Sequence, residues 1–176
     1  MRKLALILSL LGAQASAYHF KAGEVWMRGL LGQVVYFAQD SSTQINTGAI
    51  EMSLEADYMF DSNWSVGGTF RPLFAPQRVV LGFGAHAKYR MVKKELPVVP
   101  YASFGVIPSF MIATNPGGKG HFNLGLRPAA GLEYFITRNL ALGLEAGITP
   151  SFIFGSGTRN TMEATFDILF GATWKI

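Results

Sequence analysis

The chain has 176 residues, 49% hydrophobic and only 15% charged, with no cysteine. That length suits one domain, and the lack of cysteine excludes a disulfide framework and any Cys-based metal or redox site. A formal charge of +4 comes without the clustered Lys/Arg patch that nucleic-acid binding needs, so no nucleic-acid partner is expected.

Arg2 and Lys3 precede an apolar run over residues 4–11, and Ala15 and Ala17 occupy the −3 and −1 positions of a cut before Tyr18. A basic start, a short apolar stretch and small residues at the cut describe a secretory signal peptide. Residues 1–17 are therefore expected to be a leader, and 18–176 the single folded domain. The apolar run is well short of the roughly 20 residues a membrane helix requires. Without Arg2 and Lys3, the 15 basic residues become 13 against 11 acidic ones, so the high isoelectric point says little about partners. No later apolar run is long enough for a membrane helix, yet the mean hydropathy is positive. A closed barrel reconciles these facts, because only helices and closed barrels satisfy every backbone hydrogen bond in a bilayer.

Eight segments alternate between apolar and polar residues: 22–38, 47–60, 64–74, 79–92, 98–112, 121–136, 139–154 and 161–176. A period of two is the signature of a β-strand with distinct faces. In the seventh, Leu140, Leu142, Leu144, Ala146, Ile148, Pro150, Phe152 and Phe154 share one face, opposite Gly143, Glu145, Gly147 and Ser151. The sixth sets Leu124, Leu126, Leu132 and Tyr134 against Arg127 and Glu133, and the second sets Ile50, Met52, Leu54 and Tyr58 against Glu51, Glu55 and Asp57. In the fourth, Leu81, Phe83 and Tyr89 oppose His86, Lys88 and Arg90; the fifth is weaker, with Phe104 and Phe110 outward. The last segment places Met162, Ala164, Phe166, Ile168, Phe170, Ala172, Trp174 and Ile176 in one phase. Soluble strands average about 5–6 residues, so strands this long read as the staves of an eight-stranded antiparallel up-and-down transmembrane barrel. The first segment breaks phase at Arg28 and Gln33, which predicts a bulge near Gly29 to Gly32.

The connections alternate in kind. Residues 61–63, 93–97 and 137–139 are tight and polar, while 39–46, 75–78, 113–120 and 155–160 are longer or glycine-rich. Short turns at one end and longer loops at the other are the layout of an outer-membrane barrel. Residues 57–67 align without a gap on 133–143, pairing Asp57 with Glu133, Asn63 with Asn139 and Gly67 with Gly143, which suggests a repeated hairpin. Pro72, Pro108 and Pro150 recur two residues before Phe74, Phe110 and Phe152. Each lies about 9–11 residues past its short turn, one crossing by a tilted strand, so the phenylalanines should form an outer aromatic girdle.

With apolar faces toward lipid, the lumen receives Arg28, Glu51, Glu55, Asp57, Arg71, His86, Lys88, Arg90, Arg127, Glu133, Glu145, Glu163 and Asp167. Buried charges persist only when paired, so ionic layers are expected, with Glu163 and Asp167 in one interior charge network with Arg28. Interior glycines, among them Gly131, Gly143 and Gly147, leave room for long side chains. A narrow or gated water path through the same charges is the alternative to a packed interior. Chemistry is thin. His121 at the outer rim is the one candidate for catalysis near lipid headgroups, and would need Ser109 or Ser151 as nucleophile and an orienting acid. Glycine-rich residues 115–120 lack the strand–loop–helix context of a phosphate loop. No catalytic residue, cofactor or metal site is assigned.

The leader, the eight alternating strands and the aromatic last strand resemble the small outer-membrane barrels of the OmpA transmembrane-domain, OmpX and OmpW group. The run from Gly131 to Glu145 is especially similar to the strand–short turn–strand unit of that group. The resemblance implies an outer-membrane location, contact with lipid and lipopolysaccharide, recognition by the barrel-assembly machinery and, at most, narrow pore activity in a monomer. Phe170, Trp174 and Ile176 resemble the C-terminal assembly signal, which usually ends in Phe or Trp. No peptidoglycan-binding domain is expected after Ile176, and neither adhesin-length loops nor the motifs of lipid A-modifying barrel enzymes are seen. A soluble periplasmic barrel of the lipocalin kind, with apolar residues inside around a ligand, is the reading from a different class.

Overall fold

A computed structural model describes residues 20–38, 46–93, 96–114, 120–154 and 162–176. The leader read at 1–17, His19, residues 115–119 of the glycine-rich run and most of the connections at 39–46 and 155–160 lie outside them. The described chain forms β1 (Val25–Ala38), β2 (Asn46–Met59), β3 (Trp64–Ala75), β4 (Arg78–Arg90), β5 (Val98–Ala113), β6 (His121–Thr137), β7 (Leu140–Phe154) and β8 (Met162–Lys175). Each pairs antiparallel with its sequence neighbour, and β1 pairs with β8 to close the barrel. Strands of 12 to 17 residues exceed the roughly 9–11 a tilted strand needs to cross a bilayer.

Alternation decides the orientation of every stave. Leu142, Leu144 and Ile148 of β7 are about half exposed, while Glu145 on the same strand is 1% exposed. Large apolar groups thus cover the outside and carboxylates and guanidinium groups fill the inside, the reverse of a lipocalin. Phe74, Phe110 and Phe152 project outward near the loop end, where Phe122 bridges Phe110 and Phe154 with ring centroids 5.2 and 6.1 Å away. At the short-turn end, Trp64 and Tyr89 pack at 4.9 Å. These are the two aromatic girdles of a barrel wall.

Two expectations about the backbone are corrected. No bulge occurs at Gly29 to Gly32: β1 keeps register with β8 from Trp26 to Ala38, and its shift against β2 falls between Val34 and Tyr36. Phase survives because Gln33 faces outward between Ile50 and Ile168, while Leu30 and Val34 turn inward. The connection at 75–78 is not long either. Ala75 pairs directly with Arg78, and Gln77 takes φ 65° in the two-residue turn after Pro76. Proline at the first turn position and positive φ at the second is the type II pattern.

The prolines have a clear backbone role. The β2–β3 ladder lapses between Glu51–Leu73 and Leu54–Phe70, the β4–β5 ladder between Gly82–Ser109 and Ala85–Val106, and the β6–β7 ladder between Gly125–Ser151 and Ala129–Gly147. Pro72, Pro108 and Pro150 fall in these gaps, each on the side of the preceding strand. Having no N–H, proline cannot donate there.

Candidate functional site

The lumen is built in layers. At the loop end, Arg78 of β4 meets Glu163 of β8 at 3.7 Å, both about a quarter exposed. Below, Arg71 Nε donates to Glu51 Oε1 at 2.6 Å, and its Nη2 lies 3.4 Å from Asp167 Oδ2. Arg127 closes this layer, donating to both oxygens of Asp167 and reaching Glu145 Oε1 at 2.7 Å. Gly147 makes room for it: a Cβ there would sit 2.6 Å from Arg127 Nη2.

The middle layer crosses the barrel. Arg28 of β1 donates to Glu145 Oε2 at 2.6 Å and to Glu55 Oε2 at 3.4 Å, and its Nη2 donates to the Tyr101 hydroxyl. Tyr101 passes a hydrogen bond on to Glu145 Oε2 at 2.8 Å, and its ring fills the notch left by Gly131. Lys88 Nζ donates to Glu55 at 3.0 Å and Asp57 at 2.9 Å, and His86 Nε2 meets Asp57 Oδ1 at 2.5 Å. Glu55, Asp57 and His86 bring one potential metal-ligand atom each within 4.8 Å of one another. The Lys88 ammonium, and the Arg90 guanidinium 2.6 Å from Asp57 Oδ2, already supply the positive charge a cation would bring. The donor set therefore does not fit a metal.

The lowest ionic layer centres on Arg90. It donates through Nη2 to Asp57 at 2.6 Å, through Nε to Glu133 Oε2 at 3.1 Å and through Nη1 to Ser65 Oγ at 2.7 Å, while Thr173 donates to Glu133 at 3.3 Å. Beneath it the lumen turns apolar. Phe20, Trp26, Met59, Val99, Phe135 and Ala141 form one buried cluster. Phe20 precedes β1 yet is 1% exposed, 5.2 Å from Trp26 and 5.5 Å from Phe135 between ring centroids, with the Arg90 guanidinium 4.7 Å above its ring. Glu24 clamps this entry segment, accepting from Lys175 Nζ at 2.6 Å. An eight-stranded barrel has an interior just wide enough for side chains, and here they occupy it from the Arg71 layer to the Phe20 plug.

Arg28 does not meet Glu163 or Asp167; it reaches across to Glu145 and Glu55, while Asp167 takes Arg127 and Arg71. Residues adjacent in the sheet wall need not pair, because long side chains span the lumen. Tyr101, Ser65, Thr173, Arg78 and the whole Phe20 plug were missed. Inward aromatics at the ends of strands fall on the polar phase, so Trp26 and Phe135 would have shown as apolar residues out of step. Among the described residues His121 Nε2 is buried without a hydrogen-bond partner, so neither Ser109 nor Ser151 is engaged by that nitrogen. Phe170 and Ile176 are 63% and 75% exposed, and the Ile176 N–H donates to the Val25 carbonyl at 3.1 Å.

Residues 4–175 match the family model described as "Outer membrane protein beta-barrel domain". The chain belongs to this family. Its fold is that of small outer-membrane barrels of known structure, at low sequence identity. Neisserial surface protein A is 18% identical with a TM-score of 0.66, over 86% of this chain and 97% of the other. The N-terminal β-barrel domain of Pseudomonas aeruginosa OprF is 13% identical with a TM-score of 0.61, over 89% and 100%. Pseudomonas aeruginosa OprG is 18% identical with a TM-score of 0.55, over 91% and 98%. No curated protein matches the chain. Family and fold place the protein in the outer membrane, and the soluble lipocalin reading is set aside.

Proposed function

We propose that the protein is a structural barrel of the outer membrane that conducts no solute and catalyses no reaction. The observation that carries this reading is the occluded lumen, in which the Arg71, Arg28 and Arg90 layers lie above the Phe20, Trp26 and Phe135 plug. Removing either barrier leaves the other in place. Against catalysis stands His121, whose Nε2 meets no hydrogen-bond partner among the described residues, Ser109 and Ser151 included. Lipid and lipopolysaccharide are the partners of the outer wall, and the barrel works as a monomer, because a continuous apolar exterior suits a surround of acyl chains. Phe170, Trp174 and Ile176 serve as the assembly signal.

Planar-bilayer recording tests the reading. Wild type and Arg71→Ala are expected to give no steady conductance, whereas Arg71→Ala combined with Phe20→Ala and Trp26→Ala gives long-lived steps. Steady ohmic steps from the wild type would show an open path. Ile176→Phe should assemble at least as well as wild type; blocked assembly would sink the terminal-signal assignment.

A further inference from the structure

Halfway down the lumen, three inward polar residues keep surface that their neighbours have lost. Thr69 of β3 and Ser103 of β5 stay half-buried, although Arg71 and Tyr101, two residues along on the same inner faces, are 3% and 2% exposed. The His86 side chain between them on β4 is 7% exposed, against 1% for its partner Asp57. The three surround a hollow that leaves about 10 Å³ for the centre of a water molecule. One buried water needs about 10–15 Å³ by this measure, so the hollow has room for one. Such a water also needs several polar partners, and Glu55, Arg71 and Arg127 complete the lining.

The hollow has a way out on one side. Above it, a cup at the loop end leaves about 60 Å³ for water centres, and Arg78 and Glu163 at its rim are partly exposed. Cup and hollow share Arg71 and Ile107 as walls, so these side chains form the partition. Arg71 is anchored at Nε, 2.6 Å from Glu51 Oε1. Its Nη2 has an ion pair at 3.4 Å with Asp167 but no hydrogen bond among the described residues. A side chain held mainly at one edge swings without disturbing any strand ladder. The other direction is closed. Lys88 and Arg90 are 1% and 0% exposed, and the Phe20 plug fills the short-turn end.

Charge makes His86 the residue of interest. The buried layers hold six carboxylates against five Arg and Lys side chains, Arg28, Arg71, Lys88, Arg90 and Arg127. A proton on His86 makes the numbers equal, and buried charges persist when paired. His86 Nε2 meets Asp57 Oδ1, while Lys88 and Arg90 hold the other Asp57 oxygen. Glu55 of β2, Arg71 of β3 and Arg127 of β6 face the same hollow, to which β5 brings Ser103, Gly105 and Ile107 and no titratable group. We propose that the hollow holds one exchangeable water, supplied through the cup, by which the His86–Asp57 pair trades protons with solvent at the loop end while the barrel stays folded. A proton leaving the pair passes to this water and on to the waters of the cup, and one arriving takes the reverse path. The plug keeps the short-turn side out of the exchange, and the lumen stays closed to solutes.

The full chain in detergent micelles, carrying isotope-labelled histidine, is titrated with acid while the His86 ring resonances, assigned by their loss in His86→Gln, are followed. In the wild type they are expected to move continuously, the mark of fast proton exchange, and to receive magnetisation from water. Ser103→Leu fills the hollow and is expected to slow the exchange by about ten-fold or more and to abolish the transfer from water. Phe20→Ala, which loosens the opposite end, should leave the rate within about two-fold of wild type. Each variant is first shown to be folded by heat-modifiable migration, and where Ser103→Leu does not fold, Thr69→Leu fills the hollow from β3. Wild-type resonances in slow exchange, or unmoved until the barrel unfolds, would overturn the proposal. So would an undiminished rate in the folded filling variant, or a rate raised about ten-fold or more by Phe20→Ala.

Discussion

Asp57 on β2 and Glu133 on β6 stand four strands apart around the barrel, yet both carboxylates hold the Arg90 guanidinium, at 2.6 and 3.1 Å. They are the matching acids of the two recurring hairpins, 57–67 and 133–143, so the repeat converges on one cation at the base of the lumen. Buried pairs contribute little net stability, but breaking one strands a charge at about 3–5 kcal/mol. Arg90→Met is therefore expected to destabilise the barrel by about that amount in urea-refolding experiments, and Asp57→Asn and Glu133→Gln should each cost less in the Arg90→Met background than alone. Additive losses would mean that the three act independently.

Gly147 serves Arg127 by being absent as a side chain. A Cβ there would lie 2.6 Å from Arg127 Nη2, while one at outward-facing Gly68 meets only Gly84 O at 3.9 Å. Gly147→Ala should cost about 1–3 kcal/mol by overpacking. Gly68→Ala should stay within about 0.5 kcal/mol of wild type. Equal effects would remove the cradle argument.

Gln33 is a polar residue on the lipid face, flanked by Ile50 and Ile168. Gln33→Leu is expected to stabilise the barrel by about 0.5–2 kcal/mol, the cost of placing an amide among apolar groups. Ile168→Arg, at a site 50% exposed to the surroundings, should cost about 2–4 kcal/mol in bilayers if it lies near the midplane. Refolding into vesicles measures both. A neutral Ile168→Arg would argue against lipid contact there.

The turn after β2 is pH-sensitive in a predictable direction. The Asp61 carboxylate accepts from the Trp64 and Asn63 N–H groups, each at 2.7 Å, and this holds its pKa below the usual carboxylate range. Its stabilising contribution is complete above the unfolded-state value of about 3.9, and is lost as pH falls through the lower folded value. The amides of Asn63 and Trp64 should thus exchange faster in Asp61→Ala than in wild type at neutral pH, with the difference shrinking below about pH 4. A difference that persists at low pH would place the effect elsewhere.

Strand number, bounds and facing were legible because a period of two is a local property, and every stave from Ile50 to Trp174 carries it. The lumen was legible only as a set of charges. Which carboxylate Arg28 selects depends on barrel closure and side-chain reach, and no spacing along the chain encodes that. Gln33 misled because one polar residue on a lipid face looks like a break in phase. Phe20 gave no signal, lying before the first strand and outside any periodic run. Tyr101 hid in the weakest strand, where an inward aromatic disturbs the alternation that identifies a stave.

A lipid-facing wall around a filled lumen fixes which side of the wall each tryptophan occupies. The chain has three: Trp64 and Trp174 face outward at 49% and 39% exposure, and Trp26 is buried at 0% in the plug. Single-tryptophan variants refolded into vesicles with brominated acyl chains separate the two environments by fluorescence quenching. Strong quenching of Trp64 and Trp174 with little for Trp26 is the predicted result. Quenched Trp26 beside shielded Trp64 and Trp174 would contradict a lipid-facing wall around a plugged, charged lumen.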